Sequence, residues 1–541
     1  VSVVDQLRMM HSYNMHISTS LLSNIAMTMM QNCKDLFGGH QQYEILVYNA
    51  DSLFLNKEHK KAEVVYRKAL SWHKSMPKNL KSSAISPEID LLHVKFRIYE
   101  CCMIDGNEDS ALEALLRIEE RQRSVKVNYA LAKLYQARHL RRNSINCYKE
   151  VLRSCPLALD CAVELLRLGE HPNVVISIMN VGCNIDWLPS YIKAHAFVIS
   201  RDFSKAAVAF DVLHKSVTLN RNLNILSDLA YASYMAEDQS AALQHYKSLH
   251  MQDKFWLRGM DLYACILYEE KMTEELDKLS TEIFSASELH SEPWVVMGYQ
   301  AITSEEFTKS VYMAAKANQL DMFSVQAFLL KAAGLAGLGE VQKALVHSRE
   351  AITLAPHRLD CYSKLVALYM TENRNNEALT VAKSAFETIG PTPGTYVLCA
   401  LAMMPEPTSL ERAAKLVERA LSLDPNHRSA VEMKSSILYR QEKYTDAIKF
   451  LKSATQRFGS SSLHCILGDC YFKLSKLVDA VDHYNIALSL NPVCKDAKDG
   501  LSKVNKSDRS EFDSEQNTSL EREDEERMTT GSTWPHDNPW F

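Results

Sequence analysis

The sequence predicts an all-α fold, a solenoid of stacked helical hairpins forming a right-handed superhelix. Three observations carry this. Ala351, Pro356, Ala385, Ala420, Pro425, Ala454, Ala487 and Pro492 recur at a spacing near 34 residues. The clearest copy places His464, Leu467, Gly468, Tyr471, Ala480, Tyr484, Ala487 and Pro492 at relative positions 4, 7, 8, 11, 20, 24, 27 and 32 of one unit. The same register continues upstream over most of the chain. Small residues at positions 8 and 20 let the two helices of a hairpin cross closely. The small residue at 27 admits the first helix of the next hairpin, and proline at 32 ends the second helix.

This order of residues matches the tetratricopeptide repeat (TPR). Such hairpins bury too little to stand alone and are stabilised by stacking on their neighbours, so the array is expected to behave as one elongated body. Residues 1–42 precede it as an N-terminal capping or dimerisation segment. Val4, Leu7, Met10, Leu21, Leu22, Ile25 and Met29 suggest two helices there, without the repeat signature. Residues 43–72 hold the first full copy, with Leu46, Ala50, Leu53, Ala62, Tyr66 and Ala69 in phase. The stretch 73–90, HKSMPKNLKSSAISPEID, is rich in Lys, Ser and Pro and is expected to be a flexible loop.

From 91 to 504 the array resumes, with units starting near 92, 125, 188, 223, 257, 291, 325, 359, 394, 428 and 461. Leu131, Ala132, Tyr135, Tyr148 and Pro156 mark one upstream copy, and Leu226, Leu229, Ala230, Ala242 and Tyr246 another. Residues 157–187 are long enough for a hairpin, but their small residues miss the expected positions, so they are expected to form a degenerate repeat. Residues 505–541 are polar, with the run Glu521-Arg522-Glu523-Asp524-Glu525-Glu526, and are expected to be a disordered acidic tail.

The net charge is −5 over 541 residues, with 23% charged. No basic stripe supplies the footprint that nucleic acid needs, and no apolar run approaches the roughly 20 residues of a membrane span. Thirteen scattered cysteines without a secretory leader point to reduced thiols in the cytosol or nucleus. The chain opens on Val1, which reads as an incomplete or processed start.

The search for reaction chemistry turns up no catalytic, cofactor-binding or metal residue. Gly334, Gly337 and Gly339 have the wrong order for a dinucleotide loop and no preceding strand, and the repeat frame puts them late in a first helix and in its turn. None of the 19 histidines forms HExxH, and no CxxC exists. His464 is expected to pack between helices. Glu274 with Glu275 and Glu305 with Glu306 lie near hairpin turns, where they are expected to be solvated.

What remains is the concave face, formed by positions 2, 5, 9 and 12 of each first helix. Tyr231, Tyr234, Tyr268, Tyr299, Ile302 and Leu329 fall there. Two readings stand: a peptide seat lined with aromatics, or a tight superhelix that buries these rings against neighbouring turns. The Lys and Asn pattern of a chaperone-carboxylate clamp is missing from positions 5 and 9. A peptide-binding adaptor of co-chaperone or transport type is therefore the lesser alternative.

Several segments go beyond the generic repeat: YEILVYNADSLF (43–54), YKEVLRSCPLALD (148–160), EPWVVMGYQA (292–301), REAITLAPHRLDCY (349–362) and YNIALSLNP (484–492). Together, in this order, they resemble the subunit 7 family of the anaphase-promoting complex, or cyclosome, over nearly the whole chain. The resemblance implies a non-catalytic, homodimeric TPR scaffold that stacks with sister TPR subunits of a ubiquitin ligase acting on mitotic regulators. It also implies residence in nucleus and cytoplasm, with spindle association in mitosis. The short 73–90 loop, and Arg522 and Arg527 in the acidic tail, depart from the family pattern. Residues 1–36 could serve as a cap or as a two-fold interface. The resemblance favours the interface, with Leu7, Met10, Leu21, Leu22, Ile25 and Met29 as its residues.

Overall fold

The computed structural model describes residues 2–33, 36–75, 90–180, 185–492 and 494–504. Residues 76–89, most of the expected 73–90 loop, and the tail 505–541 lie outside them. The described residues form helices and no strand, so the fold is the all-α hairpin array. Contacts gather into two compact units, Val1–Ala209 and Phe210–Phe541, a division that the repeat register does not mark.

The first unit runs through α1 (Val3–Ser12), α2 (His16–Asn32), α3 (Gly39–Leu55), α4 (His59–Ser75), α5 (Leu91–Ile104) and α6 (Glu108–Leu116). It continues with α7 (Val125–Ala137), α8 (Arg141–Ser154), α9 (Leu159–Arg167), α10 (Pro172–Asn180) and α11 (Leu188–Ile199), and its boundary falls within α12 (Phe203–Lys215). In the second unit the hairpins pair α13 (Leu223–Met235) with α14 (Gln239–Gln252), α15 (Met260–Glu269) with α16 (Thr273–Ala286), and α17 (Ser291–Thr303) with α18 (Phe307–Leu320). Next come α19 (Val325–Gly337) with α20 (Val341–Leu354), α21 (Leu359–Thr371) with α22 (Asn375–Ile389), and α23 (Pro393–Met403) with α24 (Leu410–Leu423). The last are α25 (Arg428–Arg440) with α26 (Tyr444–Thr455) and α27 (Ser461–Lys473) with α28 (Leu477–Leu490), followed by α29 over 495–504.

Local chemistry starts and stops these helices. Ser124, Asn222 and Ser324 cap α7, α13 and α19 by accepting the backbone N–H three residues on. Pro156, Pro356, Pro425 and Pro492 each stand two residues beyond the end of a second helix. In most hairpins the turn holds one residue at positive φ; the α23–α24 turn does without one. Lys57, Gly106, His139, Gly169, Arg201, Glu237, Lys271, Glu305, Gly339, Asn373, Glu442 and Ser475 occupy that slot, with Glu237 through Asn373 at an unbroken 34-residue interval. Charged residues hold it more often than glycine, so sequence alone does not reveal it.

Within the expected degenerate stretch 157–187, residues 159–180 form a shortened hairpin, with α9 and α10 of nine residues each. Gly169 keeps the turn, at φ +83°. The stretch preserves the backbone device of the repeat while losing the spacing of its small residues.

Ala242, Ala314, Ala317, Ala344, Ala351, Ala378, Ala385, Ala413, Ala420, Ala447, Ala480 and Ala487 are fully buried. The three glycines of 334–339 have separate causes. A Cβ on Gly337 would meet the Phe307 ring at 2.3 Å, and one on Gly334 would meet Val311 at 2.9 Å, both on α18. Gly339 has open space around it but sits at φ +79°. Gly337→Ala should therefore cost about 1–3 kcal/mol by overpacking and Gly339→Ala about 1–2 kcal/mol by backbone strain. Glu305→Gly, at the same turn slot, should be neutral or stabilising by up to about 1 kcal/mol. Thermal unfolding followed by circular dichroism ranks the three.

Candidate functional site

In the second unit, side chains from the first helices meet one another across the array. Glu237 leaves the α13–α14 turn and accepts from the Thr392 hydroxyl at 3.1 Å and from His427 Nε2 at 2.9 Å. His427 Nδ1 accepts the Ala430 N–H, so Nε2 carries the proton that Glu237 receives. Thr392 and His427 cap α23 and α25, so one carboxylate sits at two helix N-termini, where negative charge is favoured. Gly394 makes room, since a Cβ there would meet Glu237 Oε2 at 2.4 Å.

Two further ion pairs continue the seam: Lys364 with Glu269 at 2.7 Å and Arg428 with Glu270 at 2.8 Å. At its centre Arg358 pairs with Asp360, which also accepts from the Tyr234 hydroxyl at 3.0 Å. Burial alone would raise the Asp360 carboxyl, but the Arg358 charge and its hydrogen bonds hold it below the usual range. Burial pushes the Tyr234 and Tyr299 hydroxyls well up.

The aromatic stripe lies in this seam. Tyr234, Tyr299, Ile302 and Leu329 are buried, whereas Tyr231 and Tyr268 are half-buried. Tyr299 donates to Gln326 at 3.0 Å, and its ring lies 5.5 Å from that of Tyr268. Contacts within the chain cover most of this face.

The N-terminal segment folds back on α3. Arg8 pairs with the buried Glu44 at 2.7 Å, and Asn49 donates to Ser23 at 2.8 Å and to Asn24 at 3.1 Å. Asp51, at position 9 of the first repeat, meets His11 at 3.3 Å and His93 at 3.6 Å and accepts the Tyr66 hydroxyl. Burial opposes the Asp51 charge, but those hydrogen bonds hold its carboxyl well below the ordinary range.

This fold-back divides the six predicted interface residues. Leu7 is buried, Met10 and Leu22 are half-buried, Leu21 and Ile25 are 63% and 58% exposed, and Met29 is exposed. The buried residues of α2 are Thr19, Ser23 and Ala26, while Ile17, Leu21, Ile25 and Met29 face outward. Leu22, Met27 and Met30 pack inward beside these small residues, so α2 carries apolar side chains on both faces and leaves an aliphatic one uncovered.

A cavity of about 420 Å³ in the first unit was not anticipated. Phe54, Phe96, Met103 and Tyr129 line it, with Lys126 over the Phe96 ring at 4.0 Å and Lys133 over the Tyr129 ring at 4.4 Å. Reading positions 2, 5, 9 and 12 in the units starting at 92 and 125 would have found it. His464 stacks on His483, and burial lowers both rings' basicity. Glu275 pairs with Lys247, and Glu306 with Lys309. Among the described residues no His, Cys, Asp and Glu group of three or more is placed to hold a metal ion. No described helix is long and apolar enough to cross a membrane.

Comparison with known proteins gives this geometry a context. Anaphase-promoting complex subunit 7 of Mus musculus and that of Homo sapiens are each 35% identical over 562 residues, covering 100% of both chains. The chain belongs to the anaphase-promoting complex subunit 7 family. Subunit 7 of Arabidopsis thaliana is 24% identical over 86% of this chain and 87% of that one. A protein-family model described as anaphase-promoting complex, cyclosome, subunit 3 matches residues 408–486. Among solved structures, the crystal structure of the APC/C hetero-tetramer Cut9-Hcn1 aligns with a TM-score of 0.56 at 13% identity, over 93% of this chain and 96% of that one. That likeness supports the fold. Membership in the subunit 7 family makes this a TPR scaffold-type subunit.

Two variants probe the interior of this family member. Arg358→Ala leaves Asp360 buried without its counter-charge and should cost about 3–5 kcal/mol, read as a lowered thermal midpoint. Asp51→Ala should loosen α1, seen as faster proteolysis between Ser12 and His16. The pH dependence has the matching sign. Because the folded Asp51 carboxyl titrates below the ordinary aspartate range, its contribution is complete above that range and is lost as the pH falls below it.

Proposed function

We propose that this chain is a non-catalytic spacer of the anaphase-promoting complex that self-associates through α2 and meets sister TPR subunits along its outer turns. The outward aliphatic face of α2 carries the reading. A homodimer covers Leu21, Ile25 and Met29 with the same residues of a second copy, a self-complementary two-fold contact. Phe255, Leu289 and Phe323 support the second contact. They stand 34 residues apart in three successive inter-repeat turns and are 66%, 83% and 73% exposed. Another repeat array, with its own 34-residue beat, matches that ladder. The chemistry of ubiquitin transfer then belongs to other chains, and this subunit resides with the complex in nucleus and cytoplasm and on the mitotic spindle.

The adaptor alternative draws its support from the open Phe96–Tyr129 cavity, which has the aromatic floor and lysine rim of a peptide seat.

Light scattering on the intact chain at micromolar concentration should give twice the monomer mass. Leu21→Glu with Ile25→Glu should give the monomer with unchanged helicity, because both positions face away from α3. A monomeric parent chain would contradict the dimer. Affinity capture from mitotic extract should recover the other ligase subunits, and Phe255→Asp with Phe323→Asp should weaken that recovery. Recovery of chaperones without ligase subunits would favour the adaptor.

A further inference from the structure

The last hairpin contains a chemical feature that a scaffold role does not require. Cys465, on α27, and Cys494, at the residue preceding α29, bring their sulfurs to 3.5 Å, and both are buried. They are 29 residues apart and come from different elements, so the tertiary fold brings them into contact. We propose that Cys465 and Cys494 are an oxidisable dithiol, a modification site that a peroxide converts to an intrachain disulfide.

The two thiols stand in unlike surroundings. Burial disfavours a thiolate at Cys494, but hydrogen bonds from the Ala497 N–H, the Ser461 hydroxyl and the Cys465 thiol outweigh it and hold that thiol below its ordinary value. Asp496 opposes them weakly. Burial, then the hydrogen bond to Cys494, pushes Cys465 up to about 12. Cys494 is thus the nucleophile and Cys465 the partner that keeps its proton until it is needed. Burial likewise raises the thiols of Cys101, Cys161, Cys265, Cys361 and Cys470.

The reaction balances. The Cys494 thiolate attacks one peroxide oxygen and the O–O bond breaks, giving Cys494 sulfenic acid and hydroxide, which takes up the proton lost by the thiol to form water. The Cys465 sulfur then attacks the sulfenic sulfur, and the departing hydroxyl leaves with the Cys465 proton as a second water. Two thiols are oxidised by two electrons, and one peroxide is reduced to two waters. The sulfurs need only close from 3.5 Å to a bond of about 2.05 Å.

The bridge would fasten the segment leading into α29 to α27. α29 covers the end of the array. Ala497 and Val504 belong to the terminal core, and Gly500 lies so close to the Tyr484 ring that a Cβ would meet it at 2.5 Å. A solenoid's end must be covered, and the disulfide makes that cover covalent.

The test uses the full chain, treated with hydrogen peroxide at neutral pH, alkylated with N-ethylmaleimide in denaturant and digested without reduction. A linked Cys465–Cys494 peptide pair, two hydrogens lighter than its separate parts and restored by dithiothreitol, is expected. It should form about tenfold faster than oxidation of any other buried cysteine. Cys465→Ser should leave Cys494 as a sulfenic acid that dimedone labels, and Cys494→Ser should leave Cys465 fully alkylated. Amide exchange over 495–504 should slow in the bridged chain. Oxidation of Cys494 with Cys465 still free in the parent chain would overturn the proposal, as would a bridge to a different cysteine or a pair no faster than the other buried thiols. Circular dichroism confirms that each serine variant retains its helix.

Discussion

Close approach of helices at positions that tolerate nothing larger than a methyl group is the constraint from which the rest of this molecule follows. The Tyr484 ring shows it most plainly. It lies between Gly468 and Gly500, where Cβ atoms would meet it at 2.7 Å and 2.5 Å, and its hydroxyl donates to Asp469 at 2.6 Å. A large ring fills the gap between two bare backbones, and its one polar atom is satisfied. Tyr66, Tyr148 and Tyr246 are fully buried at the same repeat position. Because the small residues return every 34 residues, each hairpin repeats the geometry of the last.

That repetition has an electrostatic consequence in the second unit. Residues 95 to 190 positions apart become neighbours: Glu269 with Lys364, Tyr234 with Asp360, Glu270 with Arg428 and Glu237 with His427. The half-exposed pairs Glu269–Lys364 and Glu270–Arg428 add little net stability, but a wrong register would leave the buried Arg358 and Asp360 charges unpaired at several kcal/mol. Their contribution is therefore to register. In the second unit an inner face occupied by its own ion pairs suits a spacer better than a channel; the outward side of α2, the Phe255–Leu289–Phe323 ladder and the Phe96–Tyr129 cavity of the first unit stay open.

Much of this was legible in the sequence because packing at close approach leaves so narrow a choice of residue. Ala351, Ala385, Ala420 and Pro425 marked the hairpins without any alignment. The left-handed turn slot was invisible, since Lys57, Arg201, Glu237 and Glu305 hold it alongside Gly339 and nothing in their chemistry announces positive φ. The cross-array ion pairs were invisible for another reason: a periodic pattern shows which residues share a face, not which distant repeat that face meets. The N-terminal segment was half legible. Its apolar residues were apparent, but their division between the α3-facing and outward sides depends on Asp51, Glu44 and Asn49, polar residues in a helix read for its aliphatics. The Phe96–Tyr129 cavity was overlooked although its frame positions were available.

The central claim is that the inner face of the second unit is held by its own side chains across the array. A double-mutant cycle on Glu270 and Arg428, each replaced by Ala singly and together, measures it most directly by chemical unfolding of the full chain. The account predicts a coupling energy of about 0.5–3 kcal/mol between these residues, which lie 158 positions apart. Strictly additive single effects would mean that the two side chains do not meet, and would contradict it.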